Sequence, residues 1–219
     1  LRYCYWQQCI YGKEPACQFG TRLSPLNLPR QWGTGNNAMS YLIETPRLGL
    51  RHFCLDDLQD FFELGSDPEV IRYAEKHPLE NLDQARKVML EAPLADYEKY
   101  GYGRFAVVWK LTGEVIGFCG MKFLPEIGRN ELGYRYKRKF WGQGIGTEAG
   151  AGTLEYAATC LGMDEAIALI MDGNIGSVRV AEKLGLRKNG TVQIYGVEAL
   201  LYETALPASN LPFRSKLAP

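Results

Sequence analysis

Strand-like and helix-like segments alternate along the chain from residue 42 onwards, and this alternation limits the possible folds more than any other feature of the sequence. Strand-like runs occur at residues 47–51, 105–110, 115–123, 130–136, 166–171, 192–195 and 199–205. Helix-like runs occur at about residues 56–65, 82–89, 144–160 and 175–184. Three of the strands follow one another directly, which indicates an antiparallel meander. The pattern predicts a mixed α/β (α+β) domain rather than a helix bundle or a β-sandwich.

Composition and charge exclude several classes of protein. The 219 residues are 46% hydrophobic and 23% charged, which excludes a disordered or fibrous chain. The 25 basic residues balance the 25 acidic residues, so the chain lacks the positive excess that binds nucleic acid or an anionic membrane. No apolar run approaches the roughly 18 residues of a membrane-spanning helix. We therefore expect a cytoplasmic protein with no nucleic-acid or membrane partner.

The cysteines and histidines indicate neither a metal centre nor a disulfide framework. Three of the six cysteines lie near the start of the sequence, three are scattered singly, and no Cys-x-x-Cys pair occurs. The two histidines, His52 and His77, lie in different segments. We expect no metal site, and free thiols in a reducing compartment.

The two ends of the sequence differ from its body. Residues 1–38 have four basic residues against the single acid Glu14, several prolines and no helical or strand period. We interpret residues 1–38 as an irregular arm, which is either an extension outside the domain or a docking arm. The predicted domain covers residues 39–206, and residues 207–219 form a tail.

A glycine-rich loop at residues 141–149 lies between a predicted strand and a predicted helix. Its glycines occupy alternate positions, Gly142, Gly144 and Gly146, so the backbone can turn tightly and direct its amides one way at a helix N-terminus. Such a loop binds phosphate, although an ordinary strand-to-helix turn can have the same pattern. A P-loop would need a lysine before Thr147, and a dinucleotide fold would need a parallel unit opening here. Neither requirement is met.

A second segment, Asn174 to Ser177 followed by a helix, completes an ordered series of motifs. With it the chain resembles the GNAT superfamily of acetyl-CoA-dependent N-acetyltransferases, in particular the ribosomal-protein N-acetyltransferase-like (RimJ/RimL-type) branch. The resemblance covers about residues 42–206. Its further motifs lie at residues 45–48, 66–70, 113–117, 131–134, 195–196 and 201–203.

The resemblance implies a GNAT-like fold and a coenzyme A site. The fold is a mostly antiparallel, twisted sheet of about seven strands, with helices on both faces and a V-shaped splay between two parallel central strands, residues 131–136 and 166–171. The V holds the pantetheine arm of acetyl-CoA, and the loop holds the pyrophosphate. The implied cofactor-binding residues are Tyr134, Tyr136, Gln143, Gly144, Ile145, Gly146, Thr147, Asn174 and Ser177. Asn174 is equally explained as a helix N-cap, and Trp141 is best explained as a packing anchor.

The reaction needs a base and an acid. A base is required because an ammonium group has no lone pair to attack the thioester carbonyl. Glu131 or Glu198, acting through water, is the candidate base, although both could be solvated strand carboxylates. Many relatives protonate the departing thiolate with a tyrosine where this chain has Ala181, so Ser177 or a water takes that role. His77 is a third, weaker candidate at the acceptor site.

The sequence therefore predicts an N-acetyltransferase that acts by direct attack in a ternary complex, without metal, as a monomer or homodimer. Its partners are acetyl-CoA and a primary amine, either a protein N-terminus or a small molecule. Cys119 and Cys160 are interpreted as packing residues rather than acyl carriers. The alternative is a non-catalytic acyl-CoA-binding module. An acidic segment at residues 56–69 lies near the acceptor side, where it would favour a polycation, or it is a solvated helix face.

Overall fold

The computed structural model describes residues 40–74 and 77–206. The predicted arm at residues 1–38, the tail at residues 207–219 and the first three cysteines lie outside the described residues. Within them the chain forms one eight-stranded sheet with helices on both faces, as the sequence predicts.

The sheet has the strand order β1-β2-β3-β4-β5-β6-β8-β7, and among the strands of the described residues only the β5–β6 pair is parallel. The strands are β1 (Ile43–Glu44), β2 (Leu48–Arg51), β3 (Arg104–Trp109), β4 (Glu114–Leu124), β5 (Arg129–Tyr136), β6 (Glu165–Ile170), β7 (Arg187–Ile194) and β8 (Val197–Ala205). The two-residue β1 is the strand that the sequence pattern did not predict, because it is too short to show an alternation. The predicted meander is confirmed as β3, β4 and β5.

The described residues also form six α-helices, of which the first, fifth and sixth make the main contacts with the sheet. They are α1 (Leu58–Ser66), α2 (Pro68–Ile71), α3 (Leu82–Met89), α4 (Ala95–Tyr100), α5 (Ile145–Thr159) and α6 (Ile175–Lys183). The sequence predicts a break or kink at Pro93. Instead, a π-helical segment, Leu90–Leu94, contains Pro93 and carries the chain from α3 into α4. The wider turn accommodates a residue without an N–H group, so the helical path continues through α4, which was not predicted.

The acid at the start of α1 has a partner other than the helix backbone. Asp57 precedes α1 but its carboxylate makes no cap hydrogen bond there. The carboxylate instead accepts the backbone N–H of Cys54 at 2.9 Å and forms a two-pronged ion pair with Arg51 at 2.6 and 2.7 Å. Asp57 therefore closes the turn after β2 through its bond to Cys54 and neutralises Arg51 at the end of that strand.

The two faces of the sheet carry different helices. On the α5 face, Cys119 Sγ lies 3.4 Å from Thr153 Oγ1 and the ring of Phe105 meets that of Tyr156 edge-on. On the opposite face, called the α1 face, Phe118 and Arg104 line a narrow cleft together with residues of α1 and of the π-helical segment. Alternate residues of each strand point to opposite faces. Residues an odd number apart in one strand are therefore on different sides of the sheet.

Candidate active site

The parallel strands β5 and β6 form a V. They share one registered pair, Glu131 with Ile167, although β5 pairs with β4 along its whole length. At the closed end, Arg129 forms ion pairs with Glu165 at 2.7 Å and with Glu203 at 3.0 Å, so three strands are clamped together there. Beyond Glu131 the backbone of β5 faces an opening, and its polar groups need a partner other than β6.

The glycine-rich loop lies at the open end of the V. After β5 the chain makes a short 3₁₀ turn, Arg138–Phe140, and enters α5 through Gly142 and Gly144, with φ values of 73° and 76°. These left-handed conformations favour glycine. Gly144 precedes the first turn of α5, which begins with the buried Ile145. The first backbone N–H groups of a helix have no partner within it, so they are available to an anion.

Two loop side chains hold the turn itself. The Trp141 indole donates to the carbonyl of Tyr136 at 2.7 Å, but the side chain is 49% exposed, so Trp141 holds the turn by a hydrogen bond and is not the packing anchor expected from the sequence. Gln143 Nε2 donates to the carbonyl of Lys139 at 2.8 Å. Thr147 is half-buried in the first turn of α5. Gly146 packs beside Tyr136 and Val180.

A carboxylate in the first turn of α5 ties the loop to the start of the domain. Glu148 accepts the Thr45 hydroxyl at 2.6 Å, the Arg47 backbone N–H at 3.0 Å and the Arg47 guanidinium at 2.6 Å. Burial opposes the charge of Glu148, but these hydrogen bonds outweigh it and lower its pKa. The guanidinium of Arg47 lies beside Gly144. Sequence reasoning did not identify this cation beside the loop, because the pairing joins residues about 100 positions apart.

The acidic segment of α1 is used to hold the other side of the loop. Lys137 donates to Asp60 at 2.6 Å, Glu63 at 2.9 Å and Glu114 at 3.1 Å. Burial disfavours the ammonium, but the three carboxylates outweigh this and raise the pKa of Lys137. Three of the carboxylates in residues 56–69 therefore neutralise cations that flank the loop, Asp60 and Glu63 with Lys137 and Asp67 with Arg138.

The other arm of the V leads into α6. Asn174 Oδ1 accepts the backbone N–H of Ser177 at 3.2 Å, so Asn174 is the N-cap of α6. Tyr134 reaches across from β5 and donates its hydroxyl to the carbonyl of Ser177 at 3.2 Å. Burial raises the pKa of Tyr134 to about 12. The structure thus brings Tyr134, Asn174 and Ser177 together, whereas Ala181 is buried in the core.

Tyr136 lies beneath the loop. Its side chain is buried, its ring stacks on that of Tyr134 with centroids 6.1 Å apart, and burial raises its pKa well above the ordinary value. A cofactor passing through the V would meet the backbone of Tyr136 rather than its hydroxyl.

Glu131 lies at the vertex of the V, on the α1 face. It forms an ion pair with Arg104 of β3. The guanidinium of Arg104 lies flat against Gly133, where a methyl group would overlap it. Arg104 was not predicted as a site residue, because its position depends on the pairing of three strands. Gly133 is the signal in the sequence for this contact, because only a glycine leaves room for the guanidinium. The signal becomes readable once the pairing of β3, β4 and β5 is known.

A second charged pair lies next to Arg104 and Glu131. Lys122, the cross-strand neighbour of Glu131, has its ammonium nitrogen 3.6 Å from Asp96 of α4. Burial lowers the pKa of Lys122 and raises that of Asp96. The vertex therefore adjoins a buried group of opposite charges that lines the cleft under α1.

The other two candidate bases lie away from the vertex. Glu198 is exposed near the tip of the β7–β8 hairpin, where it accepts the Thr191 hydroxyl at 2.8 Å. His77 is exposed in the loop between α2 and α3. Of the three candidate bases, Glu131 is therefore the one that lies where β5 and β6 meet.

Comparison with known proteins decides the family. Residues 47–187 match the model of the acetyltransferase (GNAT) domain, which spans the V, the loop and α6. The chain belongs to the GNAT acetyltransferase family. It is 33% identical over 153 residues to an uncharacterized N-acetyltransferase p20 of Bacillus licheniformis, covering 69% of this chain and 85% of the relative.

Solved GNAT structures share the fold. An acetyltransferase from Agrobacterium tumefaciens is 24% identical with a TM-score of 0.64, and the match covers 78% of this chain and 99% of that one. A spermidine N-acetyltransferase from Vibrio cholerae, solved with CoA and spermine, is 18% identical with a TM-score of 0.62, covering 74% and 97%. At these identities the likeness concerns the architecture.

Among the cysteines in the described part of this GNAT domain, none is an activated thiol at the V. Cys119 is buried in β4, and burial raises its pKa to about 11, so its thiolate is disfavoured. Cys160 is exposed at the far end of α5. Among residues 40–74 and 77–206, no three His, Cys, Asp or Glu side chains form a group suited to a metal ion. In the same part of the chain, no helix has the length and apolar character needed to cross a bilayer.

Proposed function

We propose that this protein transfers the acetyl group of acetyl-CoA to a primary amine by direct attack in a ternary complex. The observation that carries the proposal is the V between β5 and β6, whose open end lies against the first turns of both α5 and α6. An extended thioester can lie along the unpaired backbone of β5 and place its phosphates at one helix and its sulfur near the other.

The donor site uses backbone groups first. The edge of β5 beyond Glu131 would pair with the amides of the pantetheine arm, as a neighbouring strand does. The pyrophosphate would accept N–H groups from the loop Gln143–Thr147, assisted by the Thr147 hydroxyl and the helix dipole. Asn174 would contact the same arm, because its side chain caps α6 where the V opens.

The two proton transfers take place on opposite faces of the sheet. Glu131 and Tyr134 are three residues apart in β5, so their side chains point to different faces. The amine would approach on the α1 face and lose its proton, through water, to Glu131. Its nitrogen then attacks the carbonyl carbon, and the resulting oxyanion is stabilised by backbone amides of β5.

The thiolate would leave on the α5 face. When the carbon–sulfur bond breaks, the sulfur needs one proton. The Ser177 hydroxyl is one donor, and the Tyr134 hydroxyl, bonded to the Ser177 carbonyl, is a second. With a pKa of about 12, Tyr134 remains protonated and able to donate at neutral pH. Because the Ala181 side chain has no proton to donate, the proton for the sulfur would come from Ser177, Tyr134 or a water.

A covalent acyl-enzyme is disfavoured by the buried, high-pKa Cys119. The acceptor in this proposal is a protein N-terminus, as in the ribosomal-protein branch, or a small-molecule amine. Ala181 also favours a second candidate, an acyl-CoA-binding module without catalysis.

The deciding experiment combines binding and turnover. Calorimetry with CoA tests the donor site, and isotope-labelled acetyl-CoA incubated with amines and peptides tests transfer. We expect binding together with labelled N-acetyl product, and a loss of product without loss of binding in Glu131→Gln. Binding without product from any amine would establish the module instead.

A further inference from the structure

An apolar surface borders the β6 arm of the V on the α1 face. Ile167 of β6 is the registered partner of Glu131, and paired residues of neighbouring strands share a face. Strand alternation places Leu169 on the same face, where its cross-strand neighbour Leu201 of β8 lies beside it. Met171, directly after β6, packs in the same apolar cluster. This surface, called the β6 wall, consists of Ile167, Leu169, Met171 and Leu201.

The β7–β8 hairpin turns back over the β6 wall. Leu200 of β8 pairs with Ile170, so the hairpin leaves the sheet at the open end of the V. At its tip, however, the Tyr195 hydroxyl donates to Glu126 at 3.2 Å, and Glu126 lies in the turn before β5, at the closed end. Tyr195 also belongs to the apolar cluster of the β6 wall. The hairpin tip therefore crosses the α1 face above the wall.

Tyr195 has a backbone conformation that a large side chain rarely adopts. Its φ of 51° is the one left-handed value of a non-glycine residue among residues 40–74 and 77–206. Such strain costs free energy and persists only where the surrounding contacts fix the residue. A glycine or an asparagine would fit this turn at lower cost. The turn itself thus does not require the aromatic ring that packs towards the wall.

The β6 wall is apolar, and the acids that flank it have partners or lie beyond it. Glu165 and Glu203 form ion pairs with Arg129, and Glu203 also accepts a hydrogen bond from Asn189 at 2.6 Å. Asp172 follows the last residue of the wall. An ammonium on the wall would lose water without gaining a carboxylate, which is costly. An apolar chain gains there instead, because the burial of one methylene favours binding about fourfold.

The β6 wall begins where the amine would react. It starts at the pair Glu131–Ile167 and runs about 13 Å to Met171. Ile167 is buried, whereas Leu169, Met171 and Leu201 are half-buried and keep accessible surface that a ligand can cover. A molecule with its amine at Glu131 would therefore lie with its chain along the wall, beneath the hairpin tip.

We propose that the acceptor is a primary amine joined to an apolar chain, and that this chain binds between the β6 wall and Tyr195. The inference rests on the proposed acetyl transfer. It makes Leu169, Met171 and Tyr195 specificity-determining residues, and it disfavours polyamines, whose second ammonium would lie on the wall.

The test compares three acceptors with acetyl-CoA: n-propylamine, n-hexylamine and 1,6-diaminohexane. The last two have the same chain and differ in the second ammonium. Rates are expressed per unprotonated amino group. We expect kcat/KM for hexylamine to exceed that for propylamine by about tenfold or more, since three further methylenes are buried. It should also exceed that for diaminohexane by about tenfold or more.

A charge placed on the wall tests where the chain lies. In Met171→Glu the preference for hexylamine over diaminohexane should fall to within about threefold, or reverse, because the new carboxylate pairs with the distant ammonium. Leu111→Glu, the same change at an exposed leucine in the β3–β4 turn, is the matched control and should keep the preference. A merely structural role of Met171 would lower both rates equally.

Two further variants keep the test decisive if Met171→Glu fails to fold. Leu169→Ala should reduce the advantage of hexylamine over propylamine about threefold or more, through a raised KM for hexylamine. Tyr195→Asn should do the same without loss of stability, because asparagine accepts the left-handed φ and only the ring is removed.

The outcomes separate the two proposals. Equal or better turnover of diaminohexane, or an unchanged preference in all three wall and hairpin variants, overturns the inference and leaves acetyl transfer standing. A dimer by light scattering that Met171→Glu dissociates, with the amine preference unchanged, would assign the wall to a second copy of the chain and also overturn it. Absence of turnover with every amine, in a protein that binds acetyl-CoA by calorimetry, overturns the proposed function and the inference with it.

Discussion

The hydroxyl of Tyr134 lies 3.2 Å from the carbonyl oxygen of Ser177 and joins β5 to α6 across the open V. The bond places a protonated hydroxyl next to the residue that the family geometry puts near the thioester sulfur. In the proposed mechanism this hydroxyl would supply the proton that relatives take from a tyrosine where this chain has Ala181.

Replacing Tyr134 by phenylalanine should lower kcat about tenfold or more while changing CoA affinity little, because a positioned general acid contributes about 10² to 10⁴ in rate, part of which Ser177 or water can replace. Stopped-time assays and calorimetry measure the two effects. Tyr102→Phe, which removes a hydroxyl bonded to Asn130, is the control. Equal turnover in Tyr134→Phe and wild type would leave Ser177 or water as the donor, and a loss in Ser177→Ala would then identify the serine.

Gly144→Val should weaken CoA binding by an order of magnitude or more, about 1.4 kcal/mol, because a β-branched residue disfavours the φ of 76° that brings the loop amides together. Gly162→Val imposes a similar strain, at a φ of 65°, beyond the opposite end of α5. Both variants should lose stability, but CoA affinity measured by calorimetry should fall only in Gly144→Val. An unchanged affinity in a folded Gly144→Val protein would remove the loop from the donor site.

Glu131→Gln should reduce the rate by about 10² and most strongly at acidic pH, where the amine is most fully protonated. Glu198→Gln should reduce it less, because the Glu198 carboxylate is exposed and bonded to Thr191. Rates from pH 6 to 9 with one acceptor make the comparison. The reverse order would assign the base to the hairpin. Wild-type rates in both variants would mean that positioning and backbone amides alone account for catalysis.

Glu148→Gln should destabilise the fold at pH 7 by about 1–2 kcal/mol, because the carboxylate loses charge-assisted hydrogen bonds with Thr45 and Arg47, and the solvent exposure of Arg47 limits the loss. The folded state lowers the pKa of Glu148 from its ordinary value of 4.5. The stabilisation is therefore complete above that value and is lost as the pH falls below it through the folded pKa. Urea unfolding at pH 7 and at pH 4 should show a smaller difference from wild type at pH 4. A difference independent of pH would assign the loss to packing.

Much of this fold follows from local patterns, whereas much of the site does not. The meander, α5 and α6 were predictable because each is long enough to show its own period, and the loop because three glycines precede a helix. The path through Pro93 was not, since a π-helical turn depends on the packing of α3 and α4 against the sheet. Arg104 was also missed, because nothing within β3 reveals that its side chain crosses β4 to Gly133 and Glu131.

The clamp formed by Arg129 also affects how the sheet holds together. Since β5 and β6 share one registered pair, the sheet consists of two blocks, one from β1 to β5 and one of β6, β8 and β7. The blocks are joined by the pair Glu131–Ile167 and by the ion pair of Arg129 with Glu165. A thioester lying in the V would occupy the place of the missing ladder and form part of the fold while bound. Amide hydrogen exchange in β5 and β6 should therefore slow with CoA, because bound CoA raises the free energy of opening by RT ln(1 + [CoA]/Kd). The protein would be most rigid when loaded and would loosen along a single seam each time the product leaves.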